Sequence, residues 1–102
     1  MSGGTGLRGG GTGLRELFAG GTIRGRSTIT IRSILTRTGF TQTISHNKQG
    51  YLFYNNVGEM VRIMRRAGGW DVRVTNRFGN YLDEFGNVAG RAASHGIWVS
   101  PY

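Results

Sequence analysis

The stretch EMVRIMRRAGGWDVRVTNRF, residues 59–78, decides the fold of this chain. Its two runs EMVRIMR and WDVRVTNRF are rich in β-branched and aromatic residues, which is typical of β-strands. The turn-forming residues Ala67-Gly68-Gly69 separate them. A connection this short has no room for a crossover helix, so the two strands must be antiparallel neighbours. The stretch therefore predicts the central hairpin of an antiparallel sheet.

Further short extended runs continue the same pattern on both sides of the hairpin. Their sequences are YLFYNN (residues 51–56), NYLDEF (80–85) and GIWVS (96–100). Turn-forming residues separate the runs, namely Asn56-Val57-Gly58, Gly79-Asn80 and Gly86-Asn87. Together with the hairpin, these runs predict a small twisted antiparallel β-sheet of four to five strands.

Two helices are predicted ahead of the sheet. Leu14–Ala19 can form a short helix that a glycine pair ends. Ser27 and Thr28 offer an N-cap for a second helix, in which apolar residues recur at helical spacing up to Gly39. A strand over Thr28–Ile31 is the alternative, because this segment is rich in β-branched residues. Helices that cover one face of the sheet give an α+β domain.

Glycine is concentrated at the start of the chain, where nine of the 19 glycines fall within the first 21 residues. The unit GGTGLR occurs at residues 3–8 and again at 10–15, and glycine-dense sequence of this kind behaves as a flexible tether. Residues 1–13 are therefore expected to be a linker, and residues 14–102 a single domain. Residues 4–9 match G-x-G-x-x-G, but no strand precedes them, so a dinucleotide site is rejected.

The chain is strongly basic, since 13 lysines and arginines against five acidic residues give a formal charge of +8. The commonest use of such an excess is attraction to a polyanion, which makes nucleic acid the leading class of partner. Membrane surfaces are the rival, but they are bound by amphipathic helices with cations along one face, and the sequence has none. No apolar run approaches the roughly 20 residues that span a bilayer, so no membrane anchor is expected.

The residue types also exclude several kinds of catalytic site. The chain has no cysteine and two histidines. Without cysteine there are no disulfides, no thiol nucleophiles and no cysteine-ligated zinc sites such as those of nucleotide deaminases. Two histidines without a carboxylate cluster do not predict a metal site, so neither a metal nor another cofactor is expected.

Alternation along DVRVTNRF, residues 71–78, predicts two different faces for one strand. The apolar side carries Val72, Val74 and Phe78, and the polar side carries Asp71, Arg73, Thr75 and Arg77. Polar stripes of this kind are usually the solvated face of an antiparallel strand. Here Arg62, Arg65, Arg66 and Arg91 lie nearby, interleaved with Tyr51, Tyr54, Trp70, Tyr81 and Trp98. Arginines among aromatic rings favour binding of single-stranded RNA, with bases on the rings and phosphates on the cations.

The two histidines are the candidate acid and base for RNA cleavage. Metal-free cleavage needs a base for the 2′-OH proton, an acid for the departing 5′-oxygen and cations around the transition state. Imidazole suits both proton transfers because its ordinary pKa is about 6.5. His46 lies in a polar loop and His95 precedes the last strand, and each can equally be an incidental surface residue. A regular strand would place His95 on the apolar side with Ile97, but Gly96 allows a bend that frees it.

Three segments resemble the C-terminal toxin modules of bacterial polymorphic and contact-dependent inhibition toxins. They are ILTRTGFTQTI (residues 34–44), GYLFYNNVGEMVRIM (50–64) and DVRVTNRFGNYLDEFGN (71–87). In their order they are similar to the helix, GF turn, strand–turn–strand and VRVTN-type strand of ribonuclease toxins in the barnase/EndoU/colicin/RelE superfamily. The resemblance covers roughly the last 70 residues. The histidine–histidine–lysine set of the EndoU branch is missing, so the branch stays open.

The resemblance implies a metal-independent endoribonuclease that cleaves tRNA or rRNA by 2′-OH attack and leaves a 2′,3′-cyclic phosphate. It implies a module at the tip of a larger secreted toxin, acting as a monomer in the cytoplasm of the target bacterium and blocked by an acidic immunity protein. On residue type, the catalytic candidates are His95, His46, Thr75 and Arg73, and the RNA- and phosphate-binding candidates are Arg77, Lys48, Arg62, Arg65 and Arg91.

Two other classes of function remain open at this point. A non-catalytic RNA- or ribosome-binding module would use the same basic and aromatic face and would tolerate loss of both histidines. A structural protein of a phage or secretion system would give the charge no specific meaning. Replacement of His95 separates an enzyme from a binding module, because only the enzyme loses activity while RNA binding persists.

Overall fold

The computed structural model describes residues 12–44 and 49–102. Within these ranges the chain forms three helices and six strands. The helices are α1 (Thr12–Phe18), α2 (Thr28–Arg37) and α3 (Arg91–Ser94), and the strands are β1 (Thr41–Ile44), β2 (Gly50–Tyr54), β3 (Met60–Arg66), β4 (Gly69–Thr75), β5 (Tyr81–Leu82) and β6 (Ile97–Val99). The predicted α+β class, with N-terminal helices on a small antiparallel sheet, is confirmed.

The six strands form one sheet in which all pairs are antiparallel. Strands β1 to β5 lie side by side in chain order, and β6 also pairs with β4. β5 pairs with Val74 and Thr75, whereas β6 pairs with residues 70–72. Since β3 occupies the other edge of β4, strands β5 and β6 share one edge of β4 end to end. The residues that lead into β6, His95 and Gly96, therefore come close to the middle of β4.

Three chain reversals are built in the same way from similar five-residue sequences, NNVGE (55–59), NRFGN (76–80) and DEFGN (83–87). In each, the first side chain accepts hydrogen bonds from the backbone N–H groups two and four residues later. The fourth residue is a glycine with φ between 86° and 98°, a conformation that glycine adopts without steric cost. These reversals confirm the predicted turns and end β4 at Thr75.

The predicted helix after Ser27 is confirmed as α2, and the strand alternative is not observed. The Ser27 hydroxyl accepts a hydrogen bond from the Thr30 backbone N–H at 3.3 Å, so Ser27 is the N-cap. Ile31 and Leu35 lie one turn apart and are fully buried. No helix within the described residues is both long and apolar enough to cross a membrane.

Helix α1 begins at Thr12, so the last two residues of the predicted 1–13 linker belong to a helix. Residues 1–11 of that linker lie outside the described residues. Gly13 is buried, and a Cβ atom there would come within 2.2 Å of the Phe40 ring. Glycine therefore permits α1 to pack closely against the segment after α2.

The core lies between the two long helices and one face of the sheet. Its fully buried side chains include Leu17, Ile31 and Leu35 on the helix side and Phe53, Val61, Ile63, Val72, Val74 and Ile97 on the sheet. Outside its pairing with β4, β6 is bonded to the segment before α2: Gly25 N–H donates to Trp98 C=O at 2.7 Å, and Ser100 N–H donates to Arg26 C=O at 2.9 Å. The last strand is thus held on both edges.

Candidate active site

The sheet has two faces of different chemical character. The helix-bearing face carries the buried side chains of Phe53, Val61, Ile63, Val72 and Val74. The side chains on the alternate positions form the second face, here called the open face: Leu52, Tyr54, Met60, Arg62, Met64, Arg66, Asp71, Arg73, Thr75, Tyr81 and Trp98. Because this face carries cations, rings and hydroxyls, it is the predicted polar stripe in three dimensions.

His95 and Arg73 are in direct contact on the open face. Arg73 Nη2 lies 2.7 Å from His95 Nε2 and also contacts Nδ1. Gly96, with φ +63°, breaks the alternation of β6, so His95 is exposed although Ile97 and Val99 are buried. The bend that the sequence analysis attributed to Gly96 is confirmed.

A guanidinium group can only donate hydrogen bonds. A neutral imidazole has one acceptor nitrogen, so only one of the two nitrogens that Arg73 contacts can accept its hydrogen bond, and the tautomer decides which. Arg73 also lies against Tyr81, with its guanidinium carbon 5.1 Å from the ring centroid. Arg73 consequently connects an imidazole and a phenol across the open face.

A concavity of about 150 Å³ lies beside this group, lined by Met60, Arg62, Arg73, Thr75, Gly79 and Tyr81. Arg62 and Arg73 are direct cross-strand partners in the register of β3 and β4. Like charges in such positions repel each other, and neither arginine is in an ion pair within the described part of the chain. An anion bound between them would remove this repulsion, and phosphate fits the donor geometry of guanidinium groups.

The acidic side chains of the protein are engaged away from this concavity. Glu16 pairs with Arg37 at 2.7 Å, Glu84 with Arg24 at 3.1 Å, and Asp71 with Arg66 at 3.4 Å. The other two, Glu59 and Asp83, bond to residues of their own turns. None of the described residues that line the concavity is therefore acidic, and its two arginines make its field positive.

Two assignments on β4 need correction, since Phe78 was expected beside Val74 and Arg77 beside Arg73. β4 ends at Thr75, and both residues lie in the turn 76–80. Phe78 is 73% exposed, with the Arg77 guanidinium 4.9 Å from its ring centroid. Gly79 of the same turn lines the concavity, so Arg77 lies at the same end of the sheet.

Of the remaining candidates, Arg65 and Arg91 do not line the concavity, and two lie outside the described residues. Arg65 belongs to the helix-bearing face, because it is the cross-strand partner of Trp70 and alternates with Arg62. Arg91 is the exposed first residue of α3, four residues before His95. His46 and Lys48 lie outside the described residues.

Tyr81 is a site residue that was not among the candidates predicted from the sequence. It was noted as one aromatic residue among several, but the register of β4 and β5 makes it the partner of Thr75. The sequence NRFGN, residues 76–80, indicates this placement. Its first and fifth residues are hydrogen-bonded to each other, which sets Thr75 opposite Tyr81.

Comparisons of the chain with protein-family models, with curated proteins and with solved structures found no match.

Proposed function

We propose that the chain is a metal-independent endoribonuclease toxin that cleaves tRNA or rRNA and leaves a 2′,3′-cyclic phosphate. The observation that carries the proposal is the contact of His95 with Arg73 beside a carboxylate-free concavity. Arg62, Thr75 and Tyr81 complete the lining with a second cation and two hydroxyls. This set supplies the proton transfer and the charge stabilisation that phosphodiester cleavage requires.

His95 acts as the base in this scheme. A phosphate in the concavity competes for the donors of Arg73, which leaves the unprotonated imidazole nitrogen free to take the 2′-OH proton. The O2′–P bond then forms and the P–O5′ bond breaks. The departing 5′-oxygen receives a proton from an acid, for which Tyr81 and His46 are the two candidates.

The arginines stabilise the charge that develops on phosphorus. Arg62 and Arg73 face each other across β3 and β4, so both can donate to the non-bridging oxygens of one phosphate. We propose that the Thr75 hydroxyl, which belongs to the same lining, donates a further hydrogen bond. In this scheme, protein side chains supply the base, the acid and the hydrogen-bond donors.

The surrounding biology follows from the same proposal. A growth-inhibiting ribonuclease endangers the cell that makes it, so we infer a cognate immunity protein with an acidic surface that covers the concavity. We further propose that the module is delivered as the tip of a larger bacterial toxin and acts as a monomer in the cytoplasm of the target cell. The charge of +8 supports attraction to RNA and to such an inhibitor.

The test is inducible expression in bacteria, followed by electrophoresis of total RNA and analysis of the fragment ends. Discrete tRNA or rRNA fragments with 2′,3′-cyclic phosphate ends are expected, including when the purified protein acts in the presence of chelator. His95→Ala should lower the cleavage rate at least 100-fold, on the order of a lost general base. RNA binding should persist, since His95 is exposed and holds no part of the core.

Arg15→Gln is the matched control, because Arg15 is an exposed cation of α1 that lines neither the concavity nor the open face. Its growth inhibition should equal that of the unmodified chain. If His95→Ala cleaves RNA at the normal rate, His95 is not the base. If no RNA is cut but growth still stops and RNA is bound, the chain is a non-catalytic RNA- or ribosome-binding module.

A further inference from the structure

A second concavity lies on the helix-bearing face and has no part in the mechanism above. Its volume is about 290 Å³, near the lower end of the range for small-ligand sites, roughly 300 Å³. It is lined by Ile44, Gln49, Gly50, Tyr51, Arg65 and Trp70. Cross-strand pairing places Tyr51 beside Ile63 and Trp70 beside Arg65, so their side chains share this face.

Stacked rings form part of this second concavity. The Tyr51 and Trp70 rings are nearly parallel, with an interplanar angle of 13° and centroids 6.4 Å apart. Both side chains are only half buried, although core packing is the usual role of such residues. Parallel, partly exposed rings are the kind of surface on which nucleobases stack.

Cations border these rings on two sides. The Arg32 guanidinium lies 4.0 Å from the Tyr51 ring centroid, and its Nε is buried with no hydrogen-bond partner within the described residues. Arg65 is exposed at the lining and forms no ion pair there. None of the described residues that line this concavity is a carboxylate. A ligand that fits must therefore combine a flat ring system with negative charge, which describes a nucleotide.

We propose that this second concavity binds an unpaired nucleotide of the RNA substrate, with its base against the Trp70 ring and its phosphate at Arg65, because Arg32 and Trp70 already cover the Tyr51 ring. The inference rests on the proposed ribonuclease function for the identity of the substrate. Trp70 and Arg73 are three residues apart on β4, roughly 10 Å along the strand, and they point to opposite faces. The bound nucleotide is therefore not one that flanks the cleaved phosphate, and the protein selects a folded RNA that reaches both faces.

The two tryptophans make the two faces separately observable, because Trp70 lines the second concavity and Trp98 lies on the open face. In a Trp98→Phe variant all tryptophan fluorescence comes from Trp70. Adenosine 5′-monophosphate should quench it with a saturable dependence. Arg65→Gln should weaken this binding about fivefold to tenfold, on the scale of one charge-assisted phosphate contact, and the control Arg15→Gln should leave it unchanged.

Absence of saturable quenching would overturn the inference. Equal quenching by inorganic phosphate would also overturn it, because a simple anion site needs no stacked rings. If Arg65→Gln binds adenosine 5′-monophosphate as tightly as the unmodified protein does, Arg65 does not contact the phosphate, and the proposal fails. Circular dichroism of each variant establishes that the fold is retained, which the exposure of Trp98 and Arg65 leads us to expect.

Cleavage kinetics separate this inference from the proposed function. A dinucleotide that is bound for cleavage on the open face is too short to reach the second concavity as well. Arg65→Gln should therefore raise the KM for full-length tRNA or rRNA about fivefold to tenfold and should change the KM for a dinucleotide less. If the unmodified protein cleaves neither substrate, the ribonuclease proposal fails. If it cleaves both and Arg65→Gln changes neither KM nor Trp70 quenching, the second site alone fails.

Discussion

At the scale of single residues, the candidate site depends on Gly96. A regular strand would turn His95 toward the buried side with Ile97 and Val99. The left-handed backbone of Gly96, φ +63°, reverses that direction and brings His95 to Arg73. One residue without a Cβ atom therefore decides whether the imidazole lies in the core or at the concavity.

We predict that Gly96→Ala lowers both stability and cleavage. A Cβ atom would meet only Trp98 Nε1 at 3.7 Å, so the loss comes from the backbone conformation, which costs an L-residue about 1–2 kcal/mol. Relaxation of that backbone moves His95, so the cleavage rate should fall roughly tenfold or more. Chemical denaturation and RNA cleavage measure the two effects.

Gly90→Ala is the control for this substitution. Gly90 has φ −73°, and a Cβ atom there meets nothing within 4 Å. It should therefore retain normal stability and cleavage. A Gly96→Ala protein as active as the Gly90→Ala protein would show that the direction of His95 does not depend on Gly96.

Glu84 gives the protein a predictable response to acid. Its carboxylate accepts hydrogen bonds from the Thr22 hydroxyl at 2.5 Å and from Arg24 Nε at 3.1 Å. The Thr22 hydrogen bond first, and then that of Arg24, lower the pKa of Glu84 below its ordinary value of 4.5. Since the folded pKa lies below the unfolded one, this stabilisation is present above pH 4.5 and is lost as the pH falls through the folded value.

We predict that Glu84→Gln lowers stability at neutral pH and makes it fall less steeply below pH 4.5. Thr22→Val removes the largest cause of the pKa shift and should act in the same direction. Thr43→Val, at an exposed position of β1, is the control. The measurement is the unfolding midpoint in urea at a series of pH values, and identical acid profiles for Glu84→Gln and the unmodified chain would contradict the prediction.

At the scale of elements, the three similar turns set the lengths and the register of the strands. Asn55, Asn76 and Asp83 each accept two backbone hydrogen bonds from their own turn. The turn at Asn76 ends β4 and sets Tyr81 opposite Thr75. This turn therefore positions two of the residues that line the concavity.

We predict that Asn76→Ala destabilises the protein by about 1–2 kcal/mol, because two backbone N–H groups lose their acceptor. Asn76→Asp is the matched control, since Asp83 makes the same two bonds in its own turn. Urea denaturation should show Asn76→Asp close to the unmodified protein. Equal destabilisation by both substitutions would mean that the turn does not depend on this acceptor.

At the scale of the whole molecule, the positions of the charged side chains determine where an anion can bind, and the net charge alone does not. The acidic side chains are engaged in pairs and turns, whereas Arg62 and Arg73 on one face and Arg65 on the other have no carboxylate partner within the described residues. The excess charge is thus available on both faces of the sheet.

We predict that Arg62→Gln lowers the salt dependence of RNA binding. Each phosphate contact with a single strand contributes about 0.7 to the slope of log K against log salt concentration, so the slope should fall by about that amount. The measurement uses the His95→Ala background, in which RNA stays intact. Arg15→Gln removes the same charge elsewhere and should change the slope less, and equal changes in both variants would indicate non-specific attraction alone.

The sequence by itself determined the local features of this protein. Helix α2 with its Ser27 cap and the three similar turns depend on residues within about five positions of one another, and the antiparallel pairing of β2, β3, β4 and β5 follows from the short connections between them. The conformation of such neighbouring residues is fixed by backbone geometry and local hydrogen bonds. Residue types and their spacing therefore predict it. The excess positive charge is likewise a property of the sequence alone.

Only the tertiary structure decided which functional side chains meet. His95 and Arg73 are 22 residues apart, and their contact requires that β6 share an edge of β4 with β5. The predicted alternation of side chains extended to Arg77 and Phe78, but the turn that begins at Asn76 ends β4 before these two residues. Arg65 likewise lies on the face of the sheet opposite to that of Arg73. Register between distant strands is set by burial of the whole core, and that energy is not encoded in any short stretch.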